Sequence, residues 1–167
     1  MLTEIQCNGK VVVIHGREYA CAIGRAGLTG DKHEGDLATP MGRFALRACY
    51  YRPDRIMPPP ETQLPLIPLA PNDGWCDDAT HELYNKPVKL PFDASHEKLW
   101  RDDHAYDLIV PLGYNDDPIA AGKGSAIFWH LAQPDWRGTE GCVAIERDVM
   151  LDVLRQCGAN TWMKIQG

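Results

Sequence analysis

Prolines are concentrated between Arg52 and Pro91, and they restrict what that part of the chain can fold into. Nine of the 13 prolines of the sequence lie there: Pro53, Pro58, Pro59, Pro60, Pro65, Pro68, Pro71, Pro87 and Pro91. Proline lacks the N–H that a sheet ladder needs, and it breaks helices. We therefore expect a long ordered loop region with short strands at most. Such a region in a compact domain usually has a function, often as a lid or a wall of a binding site.

The rest of the chain favours strands over helices. Lys10–His15 and Glu18–Ile23 are rich in β-branched or aromatic residues and flank Gly16-Arg17, which predicts a β-hairpin. Gly24–Thr39 is rich in glycine and charge, so we expect a loop there. Further strands are predicted over Gly42–Tyr51, Tyr106–Pro111, Ser125–His130 and Trp162–Ile165.

Two segments are predicted to be helical. Ala94–Arg101 is a short candidate with Ser95 as its cap. Glu146–Gln156 carries apolar side chains at helical spacing: Val149, Met150, Val153 and Leu154. We therefore expect a mainly β fold, a sandwich or barrel with one or two peripheral helices and the long Pro-rich loop region.

Length and charge limit the classes of protein to consider. At 167 residues the chain is expected to form one domain over residues 1–167. The net charge of −6 and the lack of a Lys/Arg run argue against nucleic acid as a partner. No apolar run approaches the length of a membrane span.

The cysteines and the N-terminal segment indicate a compartment. The first ten residues have neither the basic nor the apolar region of a signal peptide. The six cysteines are scattered without C-x-x-C spacing, which argues against a disulfide or Cys-zinc framework and favours reduced thiols. We expect a cytoplasmic protein without a cofactor, and a periplasmic one only if a leader precedes this sequence.

A histidine and a cysteine near the C-terminal end are the strongest indication of chemistry. His130 closes an apolar run, and Cys142 follows Gly141 at the start of another. A catalytic cysteine acts as a thiolate and needs a nearby imidazole as base. Gly141 allows a tight turn that aims the N–H groups of Gly141 and Cys142 at a developing oxyanion. We predict Cys142 as nucleophile, His130 as general base and Gly141 as part of the oxyanion site.

Each of these residues also has a purely structural interpretation. Cys142 is otherwise a small buried apolar residue, and His130 a core histidine bonded to a backbone carbonyl. A zinc peptidase and a non-catalytic binding module remain alternatives. The zinc donors would come from a set without recognised metal-binding spacing: His33, Glu34, Asp36, His81, Glu82, Asp103 and His104.

Two sequence blocks resemble the L,D-transpeptidase (YkuD-type) family. The first is His130 followed by a loop and Thr139-Glu140-Gly141-Cys142, similar to the family's His and Ser/Thr-x-Gly-Cys signature. The second is Gly35–Phe44, similar to its G-x-x-x-T-P-x-G-x-F segment. The resemblance spans roughly Val11 to Ile145. It implies a β-sandwich of mixed sheets and cysteine acyl transfer at the diaminopimelate residue of peptidoglycan stem peptides.

The resemblance also implies the binding partners and two alternative reactions. Peptidoglycan stem peptides or muropeptides are the expected substrates, and carbapenems the expected covalent ligands. A cytoplasmic member meets only soluble muropeptide fragments, with water as acyl acceptor, so we expect an L,D-carboxypeptidase of cell-wall recycling. The alternative is an L,D-transpeptidase that forms cross-links. Many members carry histidine where this chain has Glu140, and arginine or asparagine where it has Ala144. Their loop between the histidine and the cysteine is also longer than the one from His130 to Cys142.

Substrate contacts are less constrained by the sequence. Arg137, in the loop that leads to Cys142, is the best placed arginine for the terminal carboxylate of the substrate. Arg43 and Arg147 are further candidates. Thr139 is assigned to the site by its place before the Gly-Cys pair. The aromatic candidates for the pocket wall are Trp129 and Tyr114, followed by Trp75 and Trp136.

Overall fold

The computed structural model describes all residues from Met1 to Gly167 and is built from strands with a single helix. Helix α1 (Arg147–Leu154) lies between the last two strands. The strands are β1 (Glu4–Cys7), β2 (Val11–Ile14), β3 (Arg17–Ala22), β4 (Leu28–Thr29), β5 (Thr39–Pro40), β6 (Gly42–Ala45), β7 (Cys49–Tyr51), β8 (Leu66–Pro68), β9 (Asp73–Cys76), β10 (Pro87–Lys89), β11 (His96–Lys98), β12 (Leu108–Pro111), β13 (Phe128–Leu131), β14 (Val143–Ile145) and β15 (Trp162–Ile165).

Ten strands form one curled mixed sheet. Their order is β6-β15-β1-β2-β3-β14-β13-β12-β7-β8, with parallel pairing of β1 to β15, β13 to β14 and β7 to β8. Leu46, directly after β6, forms a β-bridge with Leu112, directly after β12. Because six strands separate β6 from β12 in the order, this bridge shows that the sheet folds back on itself. The predicted β-sandwich is thus confirmed.

Apolar side chains fill two separate cores. The larger one lies inside the curled sheet, where Trp129 and Met163 are fully buried and α1 adds Met150 and Leu154. The smaller one lies between the sheet and a three-stranded sheet of order β10-β9-β11. It contains Trp75, Leu99, Tyr106, Phe128 and Cys142. The predicted nucleophile therefore lies in the smaller core, at the junction of the two sheets.

Several predicted elements are confirmed. The hairpin is β2 and β3, paired antiparallel around Gly16. The C-terminal helix is α1, where the carboxylate of Glu146 accepts from the N–H groups of Asp148 and Val149 and so caps the first turn. The strands predicted over Tyr106–Pro111, Ser125–His130 and Trp162–Ile165 are present as β12, β13 and β15. No helix in the structure has the length and apolar character that a membrane crossing requires.

Three predicted elements need correction. Ala94–Arg101 is not a helix: its centre is β11, which pairs with β9, and the hydroxyl of Ser95 donates to Asp77 instead of capping a helix. Gly42–Tyr51 is two strands, because the chain leaves β6 for β7 in a distant part of the sheet. The Gly24–Thr39 loop contains β4 and begins β5, which pair with each other. In each of the three segments, pairing with a strand distant in sequence determines the structure, and the local sequence pattern does not reveal that partner.

The Pro-rich region is the predicted long segment with short strands. It contributes β8 to the edge of the large sheet, and β9 and β10 to the three-stranded sheet. The three-stranded sheet packs over the face of β13 through Trp75 and Phe128, whose rings meet edge to face 5.0 Å apart. The region therefore covers the face of the large sheet next to Cys142.

Candidate active site

Sheet register brings the predicted base and nucleophile together. β13 and β14 pair in parallel, with His130 opposite Ala144. Cys142 precedes β14, so its side chain and that of His130 project from the same face, one strand apart and two residues out of step. His130, Cys142 and Ala144 line one cavity of about 350 Å³. We call these three residues the sheet wall.

The turn before Cys142 requires glycine. Gly141 has a φ of 140°, in the region that side chains rarely adopt, and a Cβ there would lie 2.9 Å from the carbonyl oxygen of Ala38. The preceding Thr139 is held on the end of β3, since its N–H donates to Ile23 O and its carbonyl accepts from Arg25 N–H. The chain is thus fixed on both sides of the residue that enters β14.

The thiol of Cys142 is buried and held by main-chain groups. It donates to Ala126 O at 3.2 Å and accepts from Phe128 N–H at 3.3 Å, and the residue is 6% exposed. Burial raises the pKa of the Cys142 thiol, and the Glu97 carboxylate raises it further, against smaller opposing effects of Phe128 N–H and Lys32. The resting side chain is therefore a protonated thiol.

His130 is also buried, and its ring orientation is fixed. Its Nδ1 lies 2.9 Å from the carbonyl oxygen of Leu131, so Nδ1 carries the donated proton and Nε2 is the basic nitrogen. Burial lowers the pKa of His130 to about 4, although the Leu131 carbonyl opposes this. Tyr106 packs edge-on against the imidazole at 5.1 Å. No hydrogen bond joins His130 to the Cys142 thiol, so the resting pair is neutral.

The main chain of Cys142 has one unpaired donor. Its carbonyl accepts from the hydroxyls of Thr139 at 2.7 Å and Thr39 at 3.4 Å. The Gly141 N–H donates to the Thr139 hydroxyl at 3.2 Å, whereas the Cys142 N–H has no acceptor in the protein. The Cys142 amide is consequently a free donor next to the thiol, and Gly141 contributes the backbone conformation.

The candidates for substrate contact separate into two groups. Thr139 and Arg137 line the cavity, with Arg137 at the rim, where its side chain is 67% exposed and paired with Asp135. Trp129 does not reach the cavity, because it projects from the other face of β13 into the larger core. Tyr114 also lies outside it, donating to Lys123 O and packing on Phe44. Both aromatic assignments are therefore corrected.

The other aromatic and arginine candidates also lie outside this cavity. Arg43 pairs with Glu4 and stacks on Trp162, and Arg147 donates to Arg55 O. Trp75 is a core residue whose indole N–H donates to Asn85, and Trp136 is exposed. Sequence position near a motif does not show which face of a strand or loop a side chain takes.

The side of the cavity that faces the sheet wall is polar. Its residues were not predicted from the sequence as substrate contacts. This opposite wall consists of Glu97, Arg101, Asp103 and Tyr106. Arg101 donates to Asp103 through Nε and Nη2 at 2.9 and 2.6 Å, and the Tyr106 hydroxyl donates to Glu97. Burial raises the pKa of Glu97 to about 7. The only sequence signal for this wall is its position just after the Pro-rich region.

The structure does not bring together the side chains that a zinc site would need. No group of three or more His, Cys, Asp or Glu side chains is arranged to hold a metal ion. His104 contacts Asp107, and Glu34 accepts from the Ser125 hydroxyl, at separate places. The donors proposed for zinc are thus dispersed or used in other contacts.

Comparison with known families agrees with the cysteine site. A histidine on one strand and a cysteine at the start of its parallel neighbour, both open to one cavity of a curled β-sandwich, are the arrangement of a cysteine acyltransferase. Residues 2–165 match the family model described as the YkuD L,D-transpeptidase catalytic domain, and the chain belongs to that family. It is accordingly an L,D-transpeptidase-type enzyme whose substrates are peptidoglycan peptides. No curated protein sequence matches the chain.

Proposed function

We propose that this enzyme is an L,D-carboxypeptidase that hydrolyses the diaminopimelate–D-Ala bond of soluble stem tetrapeptides. The observation that carries the proposal is the burial of Cys142, which is 6% exposed at the base of one polar cavity. Water reaches such a thioester readily, whereas an amine on a wall polymer needs an open approach. The short segment between β13 and β14 supports the same proposal, since its residues line this cavity and leave less protein to form a cleft for an acceptor.

The first half of the reaction forms a thioester. His130 Nε2 removes the thiol proton as Cys142 Sγ attacks the diaminopimelate carbonyl carbon. Because the resting pair is neutral, proton transfer and attack proceed together. The Cys142 N–H stabilises the oxyanion. When the intermediate collapses, the bond from carbon to the D-Ala nitrogen breaks and His130 returns the proton to the leaving amine.

The second half releases the acyl group. Water loses a proton to His130 and attacks the thioester carbonyl. The carbon–sulfur bond then breaks, His130 returns that proton to the sulfur, and the new carboxyl group loses its proton to solvent. The products are a tripeptide with a new carboxylate and the free thiol. Carbapenems are proposed to acylate the same sulfur. We also propose that residues 1–167 act as one catalytic domain and that the enzyme works in the cytoplasm, where soluble muropeptides return for recycling.

Product analysis tests the proposal. A soluble tetrapeptide muropeptide is incubated with the enzyme, with and without excess D-amino acid, and the products are weighed by mass spectrometry. We expect tripeptide and free D-Ala in both samples, with little dimer. If dimers or D-amino-acid exchange products predominate over tripeptide, the enzyme is a transpeptidase and the carboxypeptidase proposal fails.

A further inference from the structure

Lys32 is a buried cation beside the nucleophile turn. It lies in the loop between β4 and β5, lines the Cys142 cavity, and has a side chain that is only 4% exposed. A Cβ built on Gly141 would lie 3.6 Å from Lys32 Cε, and one built on Gly124 would lie 3.1 Å from Lys32 Cγ. The lack of side chains at these two glycines leaves room for the lysine stem next to Cys142.

The ammonium of Lys32 has one donor to spare. It donates to the Asp36 carboxylate and to the carbonyl oxygen of His33 at 3.0 Å. An ammonium has three N–H groups, so one remains without a protein acceptor. Burial raises the pKa of Asp36, but Lys32 and the N–H groups of His33 and Ala38 hold it below its usual value. Asp36 therefore stays ionised and keeps the ammonium in place.

The other cations of the cavity are less suited to bind a ligand near the sulfur. The side chains of Arg25 and Arg137 are 56% and 67% exposed at the rim, each beside its own carboxylate. Arg101 donates two hydrogen bonds to the Asp103 carboxylate and lies over the Tyr106 ring, 4.9 Å from its centre. Lys32 is the one cavity cation with a buried side chain.

We propose that Lys32 binds the terminal carboxylate of the residue that leaves from Cys142, and so restricts cleavage to the last peptide bond. The identity of that carboxylate rests on the proposed function. A terminal carboxylate belongs to the residue directly after the scissile carbonyl, and successive Cα atoms are about 3.8 Å apart, so a cation must lie close to the sulfur. A charge-assisted hydrogen bond in a buried site is strong because little solvent screens it.

A second role for Lys32 must be separated from this one. A buried cation near Cys142 also favours the thiolate, and Lys32 lowers the pKa of that thiol. Loss of that effect slows every reaction of the sulfur equally. Loss of carboxylate binding slows only reactions with reagents or substrates that carry the carboxylate.

Alkylation with paired reagents separates these roles without any turnover. Iodoacetate and iodoacetamide both form a bond from Sγ to carbon and release iodide, and the thiol proton passes to buffer. Only iodoacetate carries a carboxylate. The ratio of their rates at Cys142 is measured in the wild type, in Lys32→Met and in Lys32→Gln. Lys123→Met is the matched control, because Lys123 lies outside the cavity, 51% exposed, beside Asp31.

We expect the iodoacetate-to-iodoacetamide ratio to fall at least about fivefold in both Lys32 variants and to stay unchanged in Lys123→Met. Equal slowing of both reagents, or an unchanged ratio in either folded variant, overturns the proposal. Circular dichroism identifies the folded variants, and Lys32→Gln retains polar donors if Lys32→Met unfolds. Cleavage of a tetrapeptide acid against its C-terminal amide repeats the comparison on substrate. A changed alkylation ratio without any peptide cleavage refutes the proposed function alone.

Discussion

The two walls of the cavity are built in different ways. On the sheet wall, His130 and Cys142 are buried, and backbone pairing of central strands sets their relative positions. On the opposite wall, Glu97 lies on β11, an edge strand of the three-stranded sheet, and side-chain hydrogen bonds join Arg101 to Asp103 and Tyr106 to Glu97. The comparison indicates that the reacting atoms are fixed by the fold, whereas the electrostatics around them depend on single side chains.

The largest effect is expected at the sheet wall from Cys142→Ala. The change removes the attacking sulfur, so turnover should fall by at least about 10⁴-fold, as in other enzymes that lose their nucleophile. The fold should persist, because alanine leaves only a small gap. Turnover is followed by D-Ala release and the fold by circular dichroism. Residual activity within tenfold of wild type would contradict the thiol mechanism.

His130→Asn should give the next largest effect. Loss of the base is expected to slow acylation by about 10²–10⁴-fold. Wild-type activity should fall only as the pH approaches about 4, where His130 becomes protonated, because a base with a lowered pKa stays neutral above that value. Rates of acylation are measured across pH in both proteins. An unchanged rate and pH profile in the variant would show that another group accepts the proton.

Gly141→Ala should destabilise the turn that leads into the sheet wall. A residue with a side chain at φ 140° is strained, and the new Cβ would lie 2.9 Å from Ala38 O. We expect a loss of about 1–3 kcal/mol in the free energy of unfolding, measured by urea denaturation. Gly122→Ala is the control, because Gly122 has a φ of 75° with open space around its Cβ position. Equal losses in the two variants would show that the contact with Ala38 is unimportant.

The smallest effect is expected on the opposite wall, from Glu97→Gln. Ionised Glu97 raises the pKa of Cys142, so its removal lowers that pKa and increases the thiolate fraction. Alkylation by iodoacetamide should be roughly three- to tenfold faster than in wild type at about pH 8. The difference should disappear at about pH 6, because Glu97 has a pKa of about 7 and is protonated there.

Glu82→Gln is the matched control for that prediction. Glu82 is exposed in the Pro-rich region and does not line the cavity, so its loss should leave the alkylation rate unchanged at both pH values. A similar acceleration in both variants would indicate a general effect of net charge. An acceleration in Glu97→Gln that persists at the lower pH would contradict the titration of Glu97.

The sequence predicted the parts of the molecule that local pattern determines. The hairpin of β2 and β3, helix α1 and the β-rich class follow from side-chain periodicity and turn residues. Cys142 and His130 could be identified as candidates because each adjoins an apolar, strand-like run and both fit the same family signature. They line a common cavity because of the parallel register of β13 and β14, which cannot be predicted from the sequence pattern alone.

The rest depends on contacts between distant residues. The Ala94–Arg101 segment pairs with β9, and Trp129 faces the core because of the alternation along β13. Lys32 had no motif to mark it, and its importance appears only when its loop is seen beside Gly141. Leu131, whose carbonyl orients His130, is likewise an ordinary apolar residue in the sequence. Single-residue chemistry cannot reveal such neighbours.

The segment between β13 and β14 can vary in length without a change in the strands that it connects. Parallel strands cannot be joined by a tight turn, so a crossing segment is obligatory, and here it supplies Arg137 and Thr139 to the cavity rim. Since the register of β13 and β14 and the turn from Thr139 to Gly141 align sulfur and imidazole, residues added before that turn leave the alignment unchanged. A protein engineer can therefore graft a longer crossing segment to admit a bulkier acyl acceptor, and natural selection has the same freedom.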